Sequence, residues 1–202
     1  MRPYDSDLAD RLVAELSVSP LIAGLLAQRG ICEPSEASTF LDPSKDLLHS
    51  PFLFSEIDQA VERIAQARER GERVLIHGDY DVDGISGTAV LLETMWELGI
   101  ETEYFLPHRI EDGYGIASDR IHELAAQFSL MITVDCGTTA VEPIRFARER
   151  GMDVIVTDHH QPGTERPPAV AVLNPIREEE EYPFPDLSGS GVAYKLACAL
   201  RE

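Results

Sequence analysis

From residue 74 onward, short apolar runs alternate with longer amphipathic stretches. The runs at 74–76, 103–106, 130–134, 154–157 and 170–173 are bounded by polar or turn residues and read as strands, mostly buried. Between and after them, residues 85–98, 118–127, 141–150 and 191–200 carry apolar positions at helical spacing. This rhythm predicts an α/β fold, a mostly parallel sheet flanked by helices. Upstream, Leu8, Leu12, Val13 and Leu16 mark a helix that Ser19-Pro20 interrupts and Leu21 to Leu26 resumes. Pro34 opens another helix that ends near Leu41-Asp42-Pro43, and Ile57, Val61, Ile64 and Ala67 mark one closed near Gly71. The expected organisation is a helical N-terminal region over residues 1–70 and an α/β domain over residues 71–202.

Three of the predicted strands end in acids or histidines. The first is followed by His77-Gly78-Asp79-Tyr80-Asp81-Val82-Asp83-Gly84, the third by Asp135-Cys136-Gly137 and the fourth by Asp158-His159-His160. The carboxyl ends of parallel strands share one sheet edge, so clusters distant in sequence would meet there. Carboxylates crowded together repel one another unless a cation sits among them. Oxygen and imidazole donors without thiolate favour Mn²⁺ or Mg²⁺ over structural zinc. The set has room for two ions with Asp135 as a bridge, an arrangement suited to activating water against a phosphate ester. Asp135 could also serve as a helix cap before Thr138-Thr139, which alone would leave the other two clusters unexplained.

Composition narrows the partners. The 202 residues carry 36 acids against 17 bases, a net charge of −19 that argues against a strong grip on nucleic acid by this chain alone. No apolar run is long enough to span a bilayer, and the polar opening Met1 to Asp7 does not read as a secretory signal. Cys32, Cys136 and Cys198 are too few and scattered for a disulfide framework or zinc knuckle, which leads us to expect a reducing, cytoplasmic setting without membrane contact. The run Glu178 to Glu181 reads as a solvated loop.

These motifs resemble the DHH phosphoesterase superfamily, whose namesake triplet stands here as Asp158-His159-His160. Within it the chain resembles the N-terminal catalytic core of the RecJ single-stranded-DNA-specific exonucleases. The resemblance is carried by residues 77–84 and by Leu106-Pro107-His108-Arg109 with Asp112-Gly113-Tyr114-Gly115. Val134-Asp135-Cys136-Gly137, Leu173-Asn174-Pro175 and the string from Ser188 to Leu196 extend it. It implies one metal on His77, Asp81 and Asp135, and another on Asp83, Asp135 and His159. Asp79 and His160 would then tune ligands or handle protons, and His108 and Arg109 would meet a substrate phosphate. Ser188-Gly189-Ser190-Gly191, ahead of a helix, offers amides to a phosphate. Cys136 reads as a small buried neighbour rather than a nucleophile.

The implied activity is 5′-to-3′ hydrolysis of single-stranded DNA in repair and recombination, with two Mn²⁺ or Mg²⁺ ions. Single-strand-binding protein or a helicase would be further partners. The family pattern continues into another metal-binding aspartate, a second domain and a strand-gripping OB-fold. The chain stops at Glu202 and so reads as a truncated piece. Two alternatives stand beside this reading. One is a small-substrate phosphoesterase acting on oligonucleotides, cyclic dinucleotides or pyrophosphate. The other is a metal-binding but inactive fragment or scaffold.

Overall fold

The computed structural model describes residues 4–108, 115–116 and 118–202. The chain forms two compact units, Met1–Leu48 and His49–Glu202. In the first, α1 (Ser6–Leu16), α2 (Pro20–Gln28) and α3 (Pro34–Leu41) bury Leu12, Ala23, Leu26 and Ala37 among them. Their starts follow the sequence closely. The Asp5 carboxylate accepts the amides of Asp7 and Leu8, and Ser19 Oγ accepts that of Ile22, with Pro20 in the first turn.

The second unit comprises α4 (Ile57–Arg70), β1 (Val74–Gly78), α5 (Val82–Glu97), β2 (Thr102–Phe105), α6 (Ser118–Ala125), β3 (Leu130–Val134), α7 (Val141–Glu149), β4 (Asp153–Thr157), β5 (Ala171–Leu173) and α8 (Gly189–Ala199). The strands form one sheet in the order β2-β1-β3-β4-β5, every pair parallel. Alternate residues of each strand go to opposite faces. Val74, Ile76, Leu130, Ile132 and Ile155 join α4, α5 and α8 in one core, while Leu75, Met131, Val154 and Val156 join α6 and α7 in the other. Burial on both faces accounts for the unbroken apolar runs. The break between units falls at 48/49, ahead of the boundary near residue 70 read from the pattern. The apolar stripe of α4 (Ile57, Ala60, Ile64, Ala67) has the sheet as its partner.

Topology fixes where a site can form. From β1 the chain crosses to β2 on one side, whereas from β3 it crosses to β4 on the other. The loops leaving the carboxyl ends of β1 and β3 therefore part company, and a crevice opens between them, the usual ligand position in an open parallel sheet. Both helices that start beside this crevice begin earlier than periodicity suggests. Asp81 caps α5 by accepting the amides of Asp83 and Gly84, so the helix opens at Val82. Ser188 Oγ accepts the Gly191 amide, so α8 opens at Gly189. Gly84 is required for this entry, because a methyl there would lie 2.6 Å from the Asp79 backbone nitrogen. Among the described residues no helix is long and apolar enough to cross a membrane.

Candidate metal centre

Asp135 occupies the first position after β3, 1% exposed, with a backbone φ of +61°. A non-glycine residue in the left-handed region is uncommon, and strain of this kind gathers at functional positions. Its amide donates to Thr157 O at 2.9 Å, anchoring it to the neighbouring strand. Its Oδ1 is buried without a hydrogen-bond partner, yet lies 3.1 Å from His159 Nε2. Two ligands about 2.1 Å from one ion at right angles stand about 3 Å apart, so this pair has the spacing of neighbouring ligands.

Among the described residues, two groups of donor atoms converge within 4.8 Å: Asp135 with His159 and His160, and Asp79 with Asp81 and Asp135. Asp135 belongs to both. Asp83 approaches from the side of α5, with Oδ2 3.7 Å from His159 Nε2. Both of its oxygens accept amides of α8, Oδ2 from Gly189 and Oδ1 from Ser190, each at 2.7 Å. The amides at the start of α8, expected to face a phosphate, instead hold this carboxylate. His77, next to last in β1, is fully buried, its Nδ1 4.0 Å from Cys136 Sγ and its ring 5.2 Å from that of Phe105. His108 is exposed beyond β2. Arg109 and Asp112-Gly113-Tyr114 lie outside the described residues.

Asp158 does more than its place in the triplet suggested. Buried to 1% exposure, it accepts the amides of Thr138 at 2.9 Å, His159 at 2.7 Å and His160 at 3.1 Å, and bonds His160 Nδ1 at 2.8 Å. Asn174 steadies the same loop, donating to Thr138 Oγ1 and His160 O at 2.8 and 2.9 Å. The sequence marked Asn174 only through the Leu173-Asn174-Pro175 string, since an amide that braces a loop leaves no periodic trace. Acids that orient histidine ligands typically sustain metal affinity. Asp158→Ala is therefore expected to lower divalent-cation affinity roughly 10- to 100-fold, measured by calorimetric titration.

The electrostatics agree with a cation site. Burial, then the Asp83 and Asp81 carboxylates, pushes the Asp135 carboxyl up to about 7. Burial and the nearby Asp81 also raise Asp79, although the Tyr80 amide opposes them. Asp83 is lowered despite its burial, because the Ser190, Gly189 and Ser188 donors outweigh that penalty. Burial acts to lower His160, but its bond to Asp158 prevails and raises it. The Cys136 thiol is pushed well above its ordinary value by burial and then by surrounding carboxylates, which suits a packing role and not a nucleophile. Two neighbouring acids raised by burial and by surrounding carboxylates, Asp79 and Asp135, with a buried oxygen lacking a hydrogen-bond partner, fit a divalent cation.

Comparison with known proteins leads to the same part of the chain. The family model described as DHH family, N-terminal domain, matches residues 73–202. The single-stranded-DNA-specific exonuclease RecJ of Bacillus subtilis (strain 168) is 40% identical over 197 residues, covering 97% of this chain and 25% of that protein. RecJ of Escherichia coli (strain K12) is 38% identical over 205 residues, covering 100% of this chain and 34% of its own. The crystal structure of RecJ from Thermus thermophilus in complex with Mn²⁺ matches with a TM-score of 0.73 and 32% identity, over 96% of this chain and 27% of that one. The chain thus spans about a quarter to a third of the length of the curated relatives it matches. The matched span takes in every strand of the sheet and every acid of the crevice, and on that basis this chain belongs to the DHH family.

Proposed function

We propose that this chain is the catalytic core of an exonuclease that hydrolyses phosphodiester bonds of single-stranded DNA from the 5′ end, using two Mn²⁺ or Mg²⁺ ions, in DNA repair and recombination. The observation that carries this reading is the convergence on Asp135 of donors from three strand ends, with its Oδ1 held next to His159 Nε2 at 3.1 Å. Relatives named as exonucleases of this specificity, and a relative's structure holding Mn²⁺, support the choice of substrate and ion.

In this reading His77, Asp81 and Asp135, with Asp79 beside them, hold one ion, while Asp83, Asp135 and His159 hold the other. Bound there, the ions supply Lewis-acid polarisation of the phosphate and an activated water. The chain's own groups do the rest. Asp135 ties both ligand sets together, and the rigid strand end keeps their separation fixed. Asp158 orients the His160 ring through Nδ1, and His160 tunes the neighbouring ligands or handles protons. His108 follows β2 at the same sheet edge, and with Arg109, its neighbour in sequence, it meets the phosphate of the strand. The DNA grip comes mainly from parts beyond these residues, in keeping with the net charge of −19. Single-strand-binding protein or a helicase delivers the substrate, and the setting is cytoplasmic.

Hydrolysis by this chain of 5′-labelled single strands, duplexes, cyclic dinucleotides and pyrophosphate, with and without Mn²⁺, tests the reading. Mononucleotides released from single strands only with the ion are expected. Faster turnover of pyrophosphate or cyclic dinucleotides would move the assignment to a small-substrate phosphoesterase, and Mn²⁺ binding without any hydrolysis would leave a metal-binding scaffold. Asp83→Ala is expected to cut hydrolysis roughly 100-fold or more in the same assay, about 2.7 kcal/mol of barrier.

A further inference from the structure

We propose that the first turn of α8, Ser188-Gly189-Ser190, is a positioning element that presets two carboxylates of the centre, clamping Asp83 and making room for Asp135. The inference rests on the functional reading above and extends it to residues that ligate nothing.

Two independent observations meet at this turn. First, both oxygens of Asp83 are taken by consecutive amides, those of Gly189 and Ser190, at 2.7 Å each. Amides in the first turn of a helix have no partner within the helix, and its dipole favours an anion there. One carboxylate spanning two of them is fixed in position and in rotation. Its remaining lone pairs stay available on the side of His159, 3.7 Å from Oδ2. Ser188 and Ser190 pair through their hydroxyls at 3.0 Å, which holds the turn in shape. Second, Gly189 packs directly on Asp135. A methyl group there would strike Oδ1 and lie 2.7 Å from both Cβ and Cγ of Asp135. That Oδ1 is buried and lacks a hydrogen-bond partner, so it is kept for something other than the protein.

The turn therefore sets the distance between two acids carried by different strand ends. Without it, Asp83 at the head of α5 and Asp135 after β3 would repel and swing apart whenever no cation lay between them. The clamp meets that cost in advance, so a cation arrives at ligands already oriented.

Substitutions separate this role from ordinary helix support. Gly189→Ala improves intrinsic helix propensity, so helix support alone predicts tighter folding and unchanged ion binding. A positioning role predicts a loss of Mn²⁺ affinity of roughly 10- to 100-fold by calorimetry, because the methyl displaces Asp135. Ser190→Pro removes one clamping amide where the helix makes no use of it, together with the Ser190 hydroxyl, and a loss at least as large is expected. Gly191→Ala, one residue further along, touches neither acid and should bind Mn²⁺ as the unaltered chain does. As a readout independent of any ion, Asp83→Ala should speed hydrogen exchange of the Gly189 and Ser190 amides about tenfold or more in the cation-free protein. Normal Mn²⁺ affinity in both Gly189→Ala and Ser190→Pro, or unchanged exchange at those amides, would overturn the inference. Equal loss in Gly191→Ala would overturn it too, in favour of general helix disruption. An unaltered chain that binds no Mn²⁺ would instead overturn the functional reading.

Discussion

Asp135→Asn is expected to abolish Mn²⁺ binding, lowering affinity roughly 1,000-fold or more, about 4 kcal/mol, while making the cation-free protein more stable. Asparagine keeps the shape and tolerates the left-handed backbone at φ +61°, so the fold loses nothing locally. What disappears is a buried negative charge facing Asp83, Asp81 and Asp158, partly offset by His160. The sign follows from linkage. The folded-state carboxyl is raised to about 7, above its unfolded value near 4, so its contribution to stability is present below about pH 4 and is lost as pH rises through 7. Replacing it should flatten that part of the pH–stability curve and raise the melting temperature at about pH 8. Thermal melts at about pH 4, 6 and 8, with and without Mn²⁺, give both readings. Added Mn²⁺ should stabilise the unaltered chain alone. A variant that still gains stability from Mn²⁺ would show that the ion does not depend on this carboxylate.

Glu56→Ala carries the second large effect, on stability rather than on ions. Glu56 lies just ahead of α4, its side chain 14% exposed, and it holds the Arg177 guanidinium at 3.0 Å, that of Arg166 at 2.6 Å and the Val172 amide at 2.7 Å. The Arg166 end is half exposed and contributes little. Arg177 is different. Its side chain is 7% exposed, its Nη1 donates to Val172 O, and its Nε has no hydrogen-bond partner. Removing Glu56 strands a buried guanidinium and the Val172 amide together, at a cost of about 3–5 kcal/mol. For a protein of this size that corresponds to a melting temperature about 10 °C lower. Arg166→Ala, as the control, should stay within about 0.5 kcal/mol. An unchanged melting temperature in Glu56→Ala would mean that the bridge is not formed in solution.

The roles of Asp135 and Glu56 were not equally visible in the chain. Asp135 stood out because a buried apolar run led into it, and strand ends are where parallel sheets collect polar residues. The five strands were legible for the same reason, their apolar runs being continuous and their spacing regular. Two things lay beyond pattern. Helix starts depend on caps, so Asp81 and Ser188 drew α5 and α8 back by two or three residues from where periodicity began. Contacts between residues distant in sequence leave no local mark. Glu56 meets Val172 across 116 positions, and nothing around Glu56 distinguishes it from a surface acid. For the same reason the glycines of the string from Ser188 to Gly191 read as a phosphate cradle, when their neighbour was the carboxylate of Asp83.

The separation of Asp83 from its clamp also sets a schedule. The acid and the Ser190 amide are 107 residues apart, so a ribosome adding about 5–20 residues per second delivers the second roughly 5–20 s after the first. Throughout that interval the nascent polypeptide carries its acids without the turn that orders them. The centre is thus completed only once Ser190 has been made, after the strands that support it.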